Sequence, residues 1–403
     1  MKWLLLLIAA SHSILMLGPC AGFARGQEIR PFRSVPISDP PTMYLNVRNY
    51  GAVGDGVHDD GPAILAAVTA AANGNIKIVE FPATTASYLI AAPLQLPNHP
   101  NGWIRLNLDG PLRLGATLSI ADAYVIYGNN PNSGVQFSEN SQVLIDVNPP
   151  VNPAIHVIGS DVRLENLEIW FGGGGTGEGI QVDNVCCFTA ENVGVAGQSG
   201  RDGVSVHIIG DGFSYLFEKG IYINEATAPN FVIDGTSECN TIGFLTMRDV
   251  SLAGHGIQLN LPCGQAANYH FENILFESFQ DPFLTINGTT MYTAVFGLHF
   301  DNILLADPVG PIAPFITNNN AFTQDVQIIN CWGNSVEMTG TPILDLEIWT
   351  GVDVSVGQPS NYVYHGPSGV VSTMPTGADI SRRAITAPIR PPSVKGFLPG
   401  APQ

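Results

Sequence analysis

Leu164-Glu165-Asn166-Leu167-Glu168-Ile169 returns as Ala190-Glu191-Asn192-Val193-Gly194-Val195, and then again along the chain. Further copies are Glu218-Lys219-Gly220-Ile221-Tyr222-Ile223, Met247-Arg248-Asp249-Val250-Ser251-Leu252 and Phe271-Glu272-Asn273-Ile274-Leu275-Phe276. Phe300-Asp301-Asn302-Ile303-Leu304-Leu305 and Ile328-Ile329-Asn330-Cys331-Trp332-Gly333 complete the series. Taken at the third position, the register runs 166, 192, 220, 249, 273, 302, 330, in steps of 26, 28, 29, 24, 29 and 28 residues. A recurrence of roughly 20–50 residues marks a solenoid or a propeller. Each unit here holds two or three runs of alternating apolar and polar residues, broken by Gly, Asn or Asp, without helical periodicity. Such units predict a parallel β-helix, in which each strand pairs with its counterpart ~4.8 Å away in the next rung. The recurring Asn or Asp suits a turn in the left-handed region, and stacked copies can hydrogen-bond to one another. Propeller blades would need four antiparallel strands and longer units.

Composition fits one elongated domain: 45% hydrophobic residues, 12% charged residues, 44 Gly and 30 Pro in 403 residues describe a core-rich, turn-rich β protein. Met1-Lys2 followed by an apolar run through Leu17 reads as a secretory signal spanning residues 1–26, so the chain is expected outside the cell or in the periplasm. No membrane association is expected after signal cleavage. Loss of Lys2 and Arg25 would move the formal net charge from −18 to about −20, which argues against nucleic acid as a partner. Of the cysteines left, Cys239 and Cys263 stand one rung apart and can pair, whereas Cys187 and Cys331 read as buried and inert, and no spacing reads as a zinc site.

Ahead of the repeats lies Tyr50-Gly51-Ala52, then Gly54-Asp55-Gly56 and Asp59-Asp60-Gly61-Pro62. Asp60 is placed to cap a helix, Pro62 to start it, and Asn73-Gly74 to end it. That helix is expected to cover the open end of the solenoid core. With Val79-Glu80-Phe81-Pro82 and Tyr88, this segment resembles the opening of the pectate-lyase-like superfamily, in its rhamnogalacturonase and epimerase-like group. The resemblance, with the rungs, covers residues 44 to about 350. It implies a right-handed parallel β-helix that acts on, or binds, extracellular polysaccharide. Polygalacturonase-like members carry Asn-Thr-Asp, a paired Asp-Asp, Gly-His-Gly and Arg-x-Lys, of which only Gly254-His255-Gly256 is matched. That Gly also stands at Gly179 and Gly203 in other rungs and reads as turn geometry.

Aligning those rungs gives a column of Pro153, Glu178, Asp202, Pro229, His255 and Asp281 at the strand starts. Alternation then sends His156, Gln181, Ser205, Val232, Gln258 and Leu284 outward. One wall is thereby expected to carry His156, Glu178, Gln181, Asp202, Ser205, His255 and Gln258, with Arg201 beside them and Trp170 near enough to stack on a sugar. Two carboxylates flanking a bond suit glycoside hydrolysis, with Glu178 as acid and Asp202 as base. A lyase would use Arg201 or His255 as base and need a cation, for which Ca²⁺ is a candidate, or a basic group to neutralise a uronate; otherwise no cofactor is expected. The plain reading of Glu178, Asp202 and Asp281 is that they satisfy backbone amides at turns. Residues 27–350 are expected to form the solenoid and 351–403 a Pro-rich extension, as monomer or trimer. The expected function is cleavage of a polysaccharide; the alternative is a non-catalytic glycan-binding or surface structural protein on the same scaffold.

Overall fold

The computed structural model describes residues 44–374 except 100–101, 129–144, 173–174, 198–200, 225–226, 237–240, 289–292, 310–312, 320, 332–335, 342, 350–353, 357–361 and 366–370. The expected leader, Cys20 and Cys239 lie outside these residues.

Alternation along each strand decides what faces inward. Ile104–Leu108, Tyr124–Gly128 and Ile257–Leu261 bury every second side chain, so the interior fills with apolar residues while the polar ones point out. Like residues stack from rung to rung, as Phe271 does on Phe300 (5.1 Å between ring centroids) and Phe283 on Phe315 (5.3 Å). Among the described residues the strands form a 19-stranded and an 11-stranded sheet. In the 11-stranded sheet the strands follow one another in chain order and pair in parallel, which makes the fold a parallel β-solenoid.

The long strands of the larger sheet are bent at residues in the left-handed region. One column of these is Asn166, Asn192, Lys219, Asp249, Asn273, Asn302 and Asn330, all with φ between 52° and 57°. It reproduces the repeat register in every rung but one, where Lys219 and not Gly220 makes the corner. Side chains bridge the rungs: Asn192 Nδ2 donates to Asn166 Oδ1 (2.8 Å), Asn273 to Asp249 (2.9 Å) and Asn302 to Asn273 (2.7 Å). Lys219 interrupts this ladder and pairs with Glu191 instead, at 3.2 Å. A second left-handed column, Cys187, Ser214, Phe244, Asn268, Gly297 and Asp325, precedes the first by a constant five residues (192 − 187, 330 − 325).

The helix Gly61–Asn73 packs against the first strands of both sheets, with Ile64, Ala67, Val68 and Ala71 in the core. It ends at Gly74 as expected. Asp60 differs from the expectation. Its buried carboxylate makes no cap hydrogen bond to the helix and accepts from Val53 N (2.6 Å), Gly54 N (3.2 Å) and Leu89 N (3.2 Å), tying the glycine turn to a strand. Strand pairing also continues past 350: Val354–Val356 joins the 11-stranded sheet, and Tyr362–His365 pairs in parallel with Ile343–Trp349 and antiparallel with Val371–Met374. Cys263 is disulfide-bonded, whereas Cys186, Cys187 and Cys331 are thiols outside any disulfide. Cys331 is buried and Cys187 half-buried, and burial pushes each thiol up to about 12.

Asn273 both donates and accepts in the ladder while holding a left-handed backbone. Asn273→Ala is therefore expected to lower unfolding stability by roughly 2–3 kcal/mol, and Asn273→Gly by about half as much because glycine relieves the backbone strain. Chemical denaturation of the three proteins checks this; equal losses in Ala and Gly would remove the backbone contribution.

Candidate active site

The outer face of the 11-stranded sheet carries the polar side chains that the strands lift into register. His156 pairs with Gln181, Gln181 with His207, His207 with Val232, Val232 with Gln258, and Gln258 with Thr285. Two residues further along the same strands lie Asp183, Ile209, Asp234, Asn260, Asn287 and Asn319. The two columns are cross-linked. His156 Nε2 meets Asp183 Oδ2 at 2.8 Å, and Gln181 Nε2 donates to both oxygens of Asp183 at 2.9 Å. Gln258 Nε2 donates to Asn260 Oδ1 (2.8 Å), as does Asn287 Nδ2 (2.7 Å), and Asn319 Nδ2 donates to Asn287 Oδ1 (2.9 Å).

His207 is the centre of this face. Its Nδ1 lies 3.0 Å from Glu178 Oε1 and its Nε2 2.9 Å from Asp234 Oδ2, while Asn260 Nδ2 donates to the other oxygen of Asp234 at 2.7 Å. Burial disfavours the imidazolium, but hydrogen bonds to Asp234 and Glu178 and the charges of both carboxylates outweigh it and raise the pKa of His207 to about 9. Burial pushes the Asp234 carboxyl up, yet the hydrogen bonds from His207 and Asn260 prevail and hold it below the usual range. Below about pH 9 the imidazole is thus charged and stands between the side chains of Glu178 and Asp234.

The structure brings His156, Glu178, Gln181 and Gln258 onto one face, as expected, and moves the others. Val206, not Val204, pairs with Ile180, so that rung is shifted by two residues and His207 takes the place expected for Ser205. Ser205 is buried, its hydroxyl donating to Asn230 Oδ1 at 3.1 Å. Leu284 pairs with Ile257 and points inward, which turns Thr285 outward. Asp202 is committed to a turn: its carboxylate accepts from Thr227 N (2.8 Å), Ala228 N (2.8 Å) and Thr227 Oγ1 (2.9 Å), and these bonds hold it below the usual range. Glu178, read alongside it as a turn residue, does not spend its carboxylate on backbone amides and faces His207 instead.

Arg201 is not a groove cation. It is 2% exposed, its guanidinium lies 4.5 Å from the Phe171 ring centroid, and it donates to Val204 O at 3.1 Å and Gly177 O at 3.4 Å. Burial lowers its pKa to about 10, partly offset by Asp202. His255 is buried and bonded through Nδ1 to Asp281 at the leading edge of the sheet. Trp170 is the penultimate residue of Arg163–Phe171 in the other sheet, opposite Asp146 and Ala196, and does not join this face. The glycines beside these residues serve close packing. A Cβ on Gly179 would stand 2.6 Å from Ser205 O, one on Gly203 2.1 Å from Gly177 O, and one on Gly256 2.2 Å from Pro282 O.

His207 and Asp234 lay outside the sequence reading. The signal for them was Val206-His207-Ile208, which matches Ile180-Gln181-Val182 better than Val204-Ser205-Val206 does once glycine positions are ignored. Among the described residues no group of three or more His, Cys, Asp or Glu is arranged to hold a metal, and no helix is long and apolar enough to cross a membrane.

A stacked β-solenoid with carboxylates and imidazoles along one sheet places the chain among pectate-lyase-like proteins. The family model of rhamnogalacturonase A/epimerase, pectate lyase-like proteins matches residues 44–258, more than half of the chain, and the chain belongs to that family. No curated protein matches the sequence. Among solved structures, an exopolygalacturonase from Thermotoga maritima is similar at 11% identity over 81% of this chain and 92% of its own, with a TM-score of 0.46. A polygalacturonase from Erwinia carotovora is similar at 13% identity over 80% and 97%, with a TM-score of 0.47. PfbA, a surface adhesin of Streptococcus pneumoniae, is similar at 14% identity over 80% and 91%, with a TM-score of 0.41.

Because the folded pKa of His207 is raised above its ordinary 6.5, its contribution to stability is present in full below about 6.5 and is lost as pH rises through about 9. Unfolding midpoints between pH 6 and pH 10 are expected to fall more steeply for the parent protein than for His207→Gln. Parallel slopes would show that the imidazole is not held between the two carboxylates.

Proposed function

We propose that the protein hydrolyses a polysaccharide on the outer face of the 11-stranded sheet, with Glu178, His207 and Asp234 as the working groups. The observation that supports this most is the single imidazole bonded on opposite nitrogens to carboxylates from two different rungs. Cleavage of a glycosidic bond needs a proton for the leaving oxygen and a base to activate water. The proton on His207 is present below about pH 9, and Asp234, held below the usual carboxylate range, serves as base. The acid role thus falls to His207, held by Glu178, and the role expected for Asp202 passes to Asp234. The hydrophobic leader and the family membership support an extracellular substrate.

Incubation with a polysaccharide panel, following new reducing ends and unsaturated products together, tests the proposal. Glu178→Gln, His207→Gln and Asp234→Asn are each expected to lower kcat about 100-fold or more, in the range typical of a lost general acid or base. Asp202→Asn is expected to lower the unfolding midpoint while the folded enzyme keeps its rate. Undiminished activity in Glu178→Gln and Asp234→Asn would reject the assignment, unsaturated product would replace hydrolysis by elimination, and binding without cleavage would make the protein a glycan-binding module.

A further inference from the structure

The sixteen Lys and Arg residues are distributed very unevenly. None occurs between residues 249 and 381, and eight lie within residues 44–374, all of them at described positions. Arg48 and Lys77 are bound near the helix, to Tyr88 Oη and Ala83 O and to Ala71 O and Ala72 O respectively. Arg105, Arg113, Arg163, Lys219 and Arg248 stand in or beside strands of the 19-stranded sheet. Arg201 is interior. The strands of the 11-stranded sheet therefore present no Lys or Arg, and neither do the segments that connect them between Asp202 and Asn319, apart from Lys219 and Arg248 on the other sheet.

The histidines do not make up the deficit. His156 faces Asp183, His255 faces Asp281, and the imidazolium of His207 stands between two carboxylates, so that cluster alone keeps a formal charge of −1. What the face offers otherwise is amide and hydroxyl: Gln181, Gln258, Asn260, Thr285, Asn287 and Asn319. Side-chain amides both donate and accept, and match sugar hydroxyls. A polyuronate, with one negative charge per residue, would meet carboxylates with no Lys or Arg among them and with the one imidazolium already held between two acidic groups, in a chain of formal net charge −18.

From this we infer that the face takes a neutral glycan, or a uronan whose carboxyls are esterified, and rejects the free polyuronate. The inference rests on the reading that this face is where polysaccharide binds. The test uses one backbone in two charge states: polygalacturonate and its fully methyl-esterified form, together with xylan, galactan and β-glucan, at low salt, with and without Ca²⁺. Binding is measured by affinity electrophoresis for the parent protein and for Glu178→Gln, and cleavage by reducing ends. At least one uncharged polymer is expected to bind, and free polygalacturonate to bind about tenfold more weakly or worse. The gap is expected to narrow as salt screens the charges, and again in Gln258→Lys.

Polygalacturonate bound or cleaved as well as its ester, with or without Ca²⁺, would overturn the inference while leaving hydrolysis standing. An uncharged polymer bound but never cleaved would sustain it while hydrolysis fell. If no polymer bound at all, both readings would fall.

Discussion

The structure depends on one constraint, the parallel pairing of each rung's backbone with the next. Backbone groups must meet their counterparts whatever side chains they carry, so every rung has to turn its corners at the same place. The two left-handed columns show this directly. From Cys187 to Asp325 the steps are 27, 30, 24, 29 and 28 residues, and from Asn192 to Asn330 they are the same. Rung length varies by several residues, yet the span between corners never does. Length differences are expelled into the stretches of chain between the two sheets, such as those that separate Gly197 from Val206 and Ala306 from Ile316.

That constraint explains what could be read from the residues alone. The Asn column was legible because Asn and Asp tolerate the left-handed region and leave a chemical mark wherever it recurs. The other column is marked only in part: Asn268, Gly297 and Asp325 suit this backbone, but Cys187, Ser214 and Phe244 share no property that prefers it and adopt it because the rungs above and below do. Lys219 marks the limit from the other side. The neighbouring Gly220 drew the corner one residue too far, because glycine fits many turns and so locates none of them closely.

The candidate site shows the same division. Which face would be polar was plain from alternation, and His156, Gln181 and Gln258 fell in place. Which residue of one rung sits beside which residue of the next was not, because it depends on where the chain re-enters the sheet after a loop. Gly203 resembles Gly179 in sequence, but both are glycines because neighbouring backbone leaves no room for a Cβ, not because they occupy equivalent strand positions. The shift of two residues in that rung exchanged Ser205 for His207, and a shift of one turned Leu284 inward. Arg201 was misplaced for a different reason. A charged residue is read as exposed by default, and only the structure shows the backbone carbonyls and the Phe171 ring that accommodate it inside.

A stack of parallel strands has no natural length, and its last rung offers a ready template to the first rung of another copy. Among the described residues the last strand of the larger sheet reverses direction, laying Val371–Met374 antiparallel along Tyr362–His365. A second molecule arriving head to tail would bring a strand of the opposite sense to the one that edge now presents. The reversal breaks the parallel register, so a further copy could not continue the rungs on that side of the solenoid in the pattern the rest of the stack follows.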